Sequence, residues 1–69
     1  MKVGDLVRNN STYRVHRGCL ATGEIGLVME EEEYEGETGT WVWYPKEDGT
    51  WRWYSFDERY DVEIINESR

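Results

Sequence analysis

The chain has 69 residues, and 15 Asp+Glu against 8 Lys+Arg give it a formal net charge of −7. This length predicts a single domain, residues 1–69, with no linker. No apolar run approaches the roughly 18 residues that a membrane-spanning helix needs, and the N-terminal segment lacks the apolar core of a secretory signal. Cys19 is the only cysteine, which excludes an internal disulfide and a thiolate zinc cage. We therefore expect an acidic cytoplasmic protein that makes no contact with membranes.

Charge and aromatic residues are unevenly distributed along the chain. Residues 1–20 carry four bases and one acid, whereas residues 24–37 carry seven acids and no base. Four Trp, five Tyr and one Phe are more large rings than a core of this size holds comfortably. We therefore expect part of the aromatic surface to be exposed, as it is at many interfaces.

Alternating apolar and polar residues predict strands throughout the chain. In chain order, the first half is predicted to contain a strand at Val3–Arg8, a turn at Asn9–Thr12, a short strand or stiffened loop at Tyr13–His16, a mostly buried strand at Ile25–Glu30 and an acidic loop at Glu31–Gly39. Gly26 predicts a bulge or a close backbone approach within its strand.

The strongest local pattern is a hairpin formed by Thr40–Tyr44 and Thr50–Tyr54, both dense in aromatic and β-branched residues. A three-residue loop, Glu47–Gly49, would form a type I turn with Gly49 in the left-handed region. That loop pairs Lys46 with Thr50, Trp43 with Trp53 and Val42 with Tyr54.

This register separates the hairpin into two faces. Trp41, Trp43, Trp51 and Trp53 share one face, while Val42, Tyr44, Arg52 and Tyr54 share the other. Trp43 and Trp51 are expected to fill the core, with Trp41 and Trp53 at its rim. Tyr44, Arg52 and Tyr54 would then point outward, or would pack under the loop at Asn9–Thr22. A one-residue change in loop length would exchange the faces.

The chain is predicted to end with one helical turn at Phe56–Tyr60 and a last strand at Asp61–Ile65. No segment has helical periodicity over three turns. The predicted fold class is therefore all-β, a small five-stranded barrel with one short helical turn before the last strand.

Three segments carry a resemblance to a known fold. They are Val3–Val7 (VGDLV), Gly23–Val28 (GEIGLV) and the tryptophan-bearing Asp48-Gly49 hairpin ahead of Glu63-Ile64-Ile65. Together they resemble Src-homology-3-like small β-barrels, in particular short uncharacterised proteins of tailed phages of marine cyanobacteria. The opening is also similar to the KOW motif of transcription and ribosomal proteins. In that family a base in the glycine turn helps to meet RNA, whereas Ala21–Gly26 contains none.

No pattern indicates a catalytic or metal site. His16 has no triad-like partner in sequence, and a surface role is its default. Glu30–Glu33 lack the spacing of a calcium loop, and the like charges of Glu30–Glu37 favour a solvated loop or a strand that runs out into one. We therefore expect no enzyme activity, no metal and no cofactor.

The sequence favours a protein–protein interaction module, phage-encoded, that acts as a virion component, a homo-oligomer or a binder of a host protein. The residues expected to contact a protein partner or a second copy are Trp41, Tyr44, Arg52, Trp53 and Tyr54, with a secondary contact at Tyr13, Arg14, His16 and Arg17. The alternative is a nucleic-acid-related protein, either a weak RNA or DNA binder through Arg14–Arg17 or an acidic mimic of nucleic acid through Glu30–Glu37. The net charge opposes tight nucleic-acid binding.

Overall fold

The fold is an antiparallel sheet of five strands, accompanied by a two-stranded ribbon. This computed structural model describes residues 1–11, 13–15, 18–45 and 49–66, with the backbone alone at 13–15 and 18–20. The strands are β1 (Leu6–Asn9), β2 (Tyr13–Val15), β3 (Gly18–Leu20), β4 (Ile25–Tyr34), β5 (Glu37–Tyr44), β6 (Thr50–Ser55) and β7 (Val62–Asn66). The sheet has the order β6-β5-β4-β1-β7, and β2 and β3 form the ribbon.

A six-residue 3-10 helix, Phe56–Asp61, joins β6 to β7. Its first turn is capped by Glu58, whose carboxylate accepts a hydrogen bond from the Ser55 backbone N–H at 3.2 Å. The predictions of an all-β fold, of five antiparallel strands and of a helical turn before the last strand are confirmed. Within the described residues, no helix has the length and apolar character needed to cross a membrane.

The predicted acidic loop at Glu31–Gly39 is wrong, because this segment forms the ends of two long strands. β4 and β5 pair as far as Tyr34 and Glu37, so only Glu35 and Gly36 form the turn. Both turn residues have positive φ, 52° and 79°, as a tight hairpin turn of the primed type requires. Cross-strand pairing thus outweighs the mutual repulsion of the glutamates.

The hairpin of β5 and β6 forms as predicted, but its register is two residues away from the predicted one. Trp43 pairs with Trp51, and Trp41 with Trp53. The connection is therefore longer than three residues, although Gly49 does have positive φ, 77°. The rest of the predicted turn, Lys46–Asp48, lies outside the described residues. Because a two-residue shift preserves the alternation of side chains, the predicted grouping into two faces is correct.

The core lies on the face of the sheet opposite the tryptophans. Its buried apolar members are Val7, Val28, Val42, Tyr44, Tyr54 and Val62. Gly26 is also buried, and a Cβ there would come within 2.7 Å of the side chains of Val42 and Tyr44. The close approach predicted at Gly26 is therefore confirmed, and the missing side chain is what lets the Tyr44 ring lie against β4.

Candidate functional site

The two faces of the β5–β6 hairpin are reversed relative to the prediction. Tyr44 and Tyr54 are 0% and 1% exposed, and Arg52 is 4% exposed, whereas Trp51 is 50% exposed. Trp43 is half-buried rather than at the centre of the core. The expected outward orientation of Tyr44, Arg52 and Tyr54 is therefore wrong, and so is the assignment of Trp43 and Trp51 as core-filling residues.

Arg52 is accommodated inside because several polar groups converge on its guanidinium. Nη1 donates hydrogen bonds to Asn9 Oδ1 at 3.2 Å and to the Tyr54 hydroxyl at 3.4 Å. Cζ also lies 4.1 Å from the centroid of the Tyr54 ring, a cation–π contact. Nη2 is 3.4 Å from carboxylate oxygens of both Glu58 and Asp61. A buried charge requires this degree of pairing.

The tyrosine hydroxyls complete the buried network. The Tyr44 and Tyr54 oxygens are 2.5 Å apart, and the Tyr54 hydroxyl donates to Asn9 Oδ1 at 3.3 Å. Burial, followed by the hydrogen bond to Tyr54, raises the pKa of Tyr44 well above its usual value. Burial also raises the pKa of Tyr54, against the opposing effects of the bond to Tyr44 and of the Arg52 charge. Both hydroxyls therefore keep their protons to a higher pH than a tyrosine in water.

Asn9 links the loop that follows β1 to this network through side-chain hydrogen bonds. Its Nδ2 donates to the carbonyl oxygens of Ser11 and, at 3.0 Å, of Ala21. Arg52 Nη1 is also 3.4 Å from Ser11 Oγ. The face with Tyr44, Arg52 and Tyr54 thus packs toward the loop after β1, which was the alternative left open by the sequence. This cluster is structural and offers no contact surface.

The opposite face of β4–β6 exposes the tryptophans, and we call it the tryptophan face. Trp41 and Trp51 contact each other edge to face, with ring centroids 6.5 Å apart. Trp41 Nε1 donates to Glu32 Oε2 at 3.3 Å, across the pair of strands β4 and β5. The rings of this face are thus held by neighbours on the sheet rather than enclosed by a second layer of described residues.

Gly39 determines where the Trp53 ring lies. A Cβ at position 39 would fall 1.9 Å from Trp53 Cε2 and Cζ2, so the indole occupies the space that any side chain there would need. Gly39 is paired with Ser55 on β6 and with Glu32 on β4. Trp53 can therefore reach across β5 toward β4.

A cleft of about 430 Å³ opens on the tryptophan face. Its described lining is Glu32, Tyr34, Trp41 and Trp53. Tyr34 is 61% exposed and stands at the outer end of β4. The cleft is thus three aromatic walls and one carboxylate, and the carboxylate is oriented by the Trp41 indole.

A bulge in β4 places the carboxylate on this face. The β4–β5 register shifts between Val28 and Glu30, so that Val28 pairs with Val42 and Glu30 with Trp41. Without the extra residue, Met29, regular alternation would have put Glu31 and Glu33 beside the tryptophans. The bulge instead brings Glu30, Glu32 and Tyr34 to the tryptophan face.

The structure brings two of the predicted partner-binding residues, Trp41 and Trp53, into one cleft. It adds Tyr34 as a wall, which sequence reasoning missed, and singles out Glu32 from the run of acids. Glu32 and Tyr34 are two residues apart, so a strand places both on one face. The prediction of an acidic loop at Glu31–Gly39 left this relation out. No Asn-Gly or Asp-Gly signal stands at Glu35-Gly36 to reveal the turn.

The predicted secondary contact is only partly described. Tyr13 and Arg14 lie on β2, which pairs with β3, and His16 and Arg17 lie outside the described residues. Among the described residues, no group of three or more His, Cys, Asp and Glu side chains is arranged to hold a metal ion.

Comparison with protein-family models, with curated proteins and with solved structures finds no match to this chain. The geometry of the tryptophan face is therefore the basis on which a function can be inferred.

Proposed function

We propose that this chain is a non-enzymatic protein-binding module that contacts a protein partner, or a second copy of itself, through the tryptophan face. The observation that carries this proposal is the open cleft between Tyr34, Trp41 and Trp53 on a hydrogen-bonded sheet. Tryptophan and tyrosine are the residue types most enriched at interface hot spots.

The packing around the cleft supports recognition. The rings stand on three strands paired by backbone hydrogen bonds, and Trp53 is fixed over Gly39. A surface that is already ordered loses little conformational entropy when a partner binds. The described lining contains no Ser, Cys, His or Lys and only one carboxylate, which supports binding rather than triad-like or paired-carboxylate catalysis.

A test independent of the source organism is selection of peptides from a random display library on the immobilised protein, with sedimentation of the protein alone to detect self-association. Replacing Tyr34 by Thr, a good strand residue, should abolish capture of the selected peptides or weaken self-association. The matched control is Tyr60→Thr, because Tyr60 is 75% exposed but lies on the 3-10 helix, away from the cleft. Failure to select any peptide, together with a monomeric protein, would contradict the proposal. Equal effects of the two substitutions would contradict the choice of surface.

The same proposal includes closure of the sheet into a Src-homology-3-like barrel and an origin in a phage. Arg52 and Tyr54 on β6 hydrogen-bond to Asn9 on β1, a strand on the far side of the sheet, and this supports closure. Nuclear Overhauser contacts between β6 and the β1–β7 pair would test it. Genes for virion components beside the coding gene would support phage origin.

A further inference from the structure

The tryptophan face is acidic as well as aromatic. On β4, β5 and β6, the residues that alternate onto this face include Glu30, Glu32 and Glu37 and no Lys or Arg, since Arg52 points into the core. The carboxylates lie along β4 and at the hairpin end of β5, beside the cleft. A partner that approaches the exposed faces of these rings therefore also approaches negatively charged side chains.

Aromatic walls around a carboxylate favour one class of ligand group. The faces of Trp and Tyr rings carry negative electrostatic potential and attract Arg and Lys side chains within about 6 Å of the ring centroid. A carboxylate can in addition accept charge-assisted hydrogen bonds from a guanidinium. Trp41, Trp53 and Tyr34 supply the aromatic ring faces, and Glu32 supplies the carboxylate.

The molecule already contains an arginine held between aromatic rings, on its 3-10 helix. Arg59 Cζ lies 3.9 Å from the centroid of Phe56 and 4.2 Å from that of Tyr60. Its Nη1 also donates to the Phe56 carbonyl oxygen at 2.7 Å. In that exposed cluster the cation comes from the chain itself, whereas the described lining of the cleft contains no base.

From these observations we infer that the cleft binds an arginine or lysine side chain of a basic peptide segment, with the cation between Tyr34, Trp41 and Trp53 and paired with Glu32. The inference rests on the proposed protein-binding function and specifies the chemistry of the partner. The alternation of Glu30, Glu32 and Glu37 adds longer-range attraction for neighbouring bases of the same segment.

The test is a titration of the isotope-labelled full chain with a peptide of Gly-Ser-Arg repeats, followed by NMR. Each tryptophan indole N–H gives its own signal, so the four rings report separately. The signals of Trp41 and Trp53 should shift more than those of Trp43 and Trp51. The same peptide with citrulline in place of arginine, neutral but of equal shape, should produce no saturable shift.

Two variants distinguish binding in the cleft from non-specific electrostatic attraction between a basic peptide and the acidic protein. Glu32→Gln removes the carboxylate in the cleft and should weaken binding at least about fivefold. Glu33→Gln makes the same change in net charge one residue away, on the opposite side of β4, and should weaken binding less than about twofold. Equal weakening by the two variants, or no binding of the arginine peptide, would overturn the inference.

Two further outcomes would also overturn it while leaving other functions open. Equal binding of the citrulline peptide would mean that the cleft recognises shape and apolar surface, so the protein-binding function would survive without the cationic ligand. Saturable binding of a single-stranded oligonucleotide that shifts the same indole signals would replace the peptide by a stacked base. Loss of the protein-binding function itself would instead appear in the display selection, where no peptide of any charge would be captured.

Discussion

The two faces of β4–β6 differ in burial in the opposite sense from what the hydrophobicity of their residues alone suggests. The inner face buries an arginine and two tyrosines, while the outer face leaves Trp51 half-exposed and the other three tryptophans partly buried. The inner face is stable because both Arg52 Nη atoms and the tyrosine hydroxyls have partners, among them Asn9 and Asp61. On the outer face, Trp41 Nε1 is bonded to Glu32, whereas Trp53 Nε1 is buried with no hydrogen-bond partner among the described residues. Burial of the Arg52 charge in this sheet therefore depends on the hydrogen-bond acceptors that surround its Nη atoms.

The largest expected difference between the faces comes from truncating one ring on each. Tyr54→Ala should lower the free energy of unfolding by about 3–5 kcal/mol, as removal of a buried ring does. Trp51→Ala should lower it by only about 1–2 kcal/mol, because half of that side chain is already in water. Urea denaturation measures both. Equal losses would mean that the tryptophan face is as much a part of the core as the inner face.

The second expected effect concerns the charge inside the inner face. Arg52→Ala removes the donors to Asn9 and Tyr54 and should cost about 3 kcal/mol of stability. The control is Arg8→Ala, whose ion pair with Glu63 is 4.0 Å long and exposed, and which should cost less than about 1 kcal/mol. Chemical denaturation of the two variants gives the comparison. A small loss for Arg52→Ala would show that the buried network adds little to stability.

The Gly39–Trp53 contact allows a sharper test of how the outer face is built. Gly39→Ala should destabilise the protein by about 1–3 kcal/mol, because the new methyl group overlaps the Trp53 ring. In a Trp53→Thr background the same change should be neutral or stabilising, since glycine is unfavourable within a strand. A double-mutant cycle by thermal or urea unfolding measures the coupling. Additive effects would contradict the packing of Trp53 over Gly39.

The inner face should also make stability sensitive to alkali. The pKa of Tyr44 is raised above its ordinary value of 10.0, so the unfolded chain loses this proton at lower pH than the folded protein. The contribution of Tyr44 to stability is therefore complete below pH 10 and is lost as pH rises further. Tyr44→Phe should flatten the decrease in urea midpoint between about pH 9 and about pH 11. An unchanged decrease would contradict the burial of this hydroxyl.

The smallest expected effect is on stability at acid pH, and it comes from Glu58 at the half-exposed edge of the buried network. Partial burial would raise the pKa of Glu58, but hydrogen bonds from Ser55 and the charge of Arg52 outweigh it, and the pKa is lowered. The resulting stability is present above the ordinary value of 4.5 and is lost as pH falls through the lower, folded-state pKa. Glu58→Gln should reduce this acid-side loss in unfolding experiments. Asp57→Asn, a change of equal charge on the same helix, should leave the loss largely in place.

Local sequence patterns were sufficient for the all-β fold class and for the existence of the last hairpin, but not for its register or for the strand ends within Glu31–Gly39. The dense β-forming residues of Thr40–Tyr44 and Thr50–Tyr54 predict the hairpin, and period-two alternation groups the four tryptophans. The same patterns predict the turn before the last strand, the positive φ of Gly49 and the close approach at Gly26. Each of these features depends on residues near one another in the chain, or on the absence of a Cβ.

Only the tertiary structure decided which side of the sheet is buried and what the exposed side contains. Alternation is symmetric with respect to the two faces, so it could not indicate that Arg52 would find Asn9, 43 residues away, together with Glu58 and Asp61. Nor could it reveal the Met29 bulge, which turns Glu32 and Tyr34 toward the tryptophans. Those outcomes depend on hydrogen bonds between segments far apart in the chain and on the pairing of β4 with β5. The free energy of such long-range interactions cannot be obtained from a local sequence pattern.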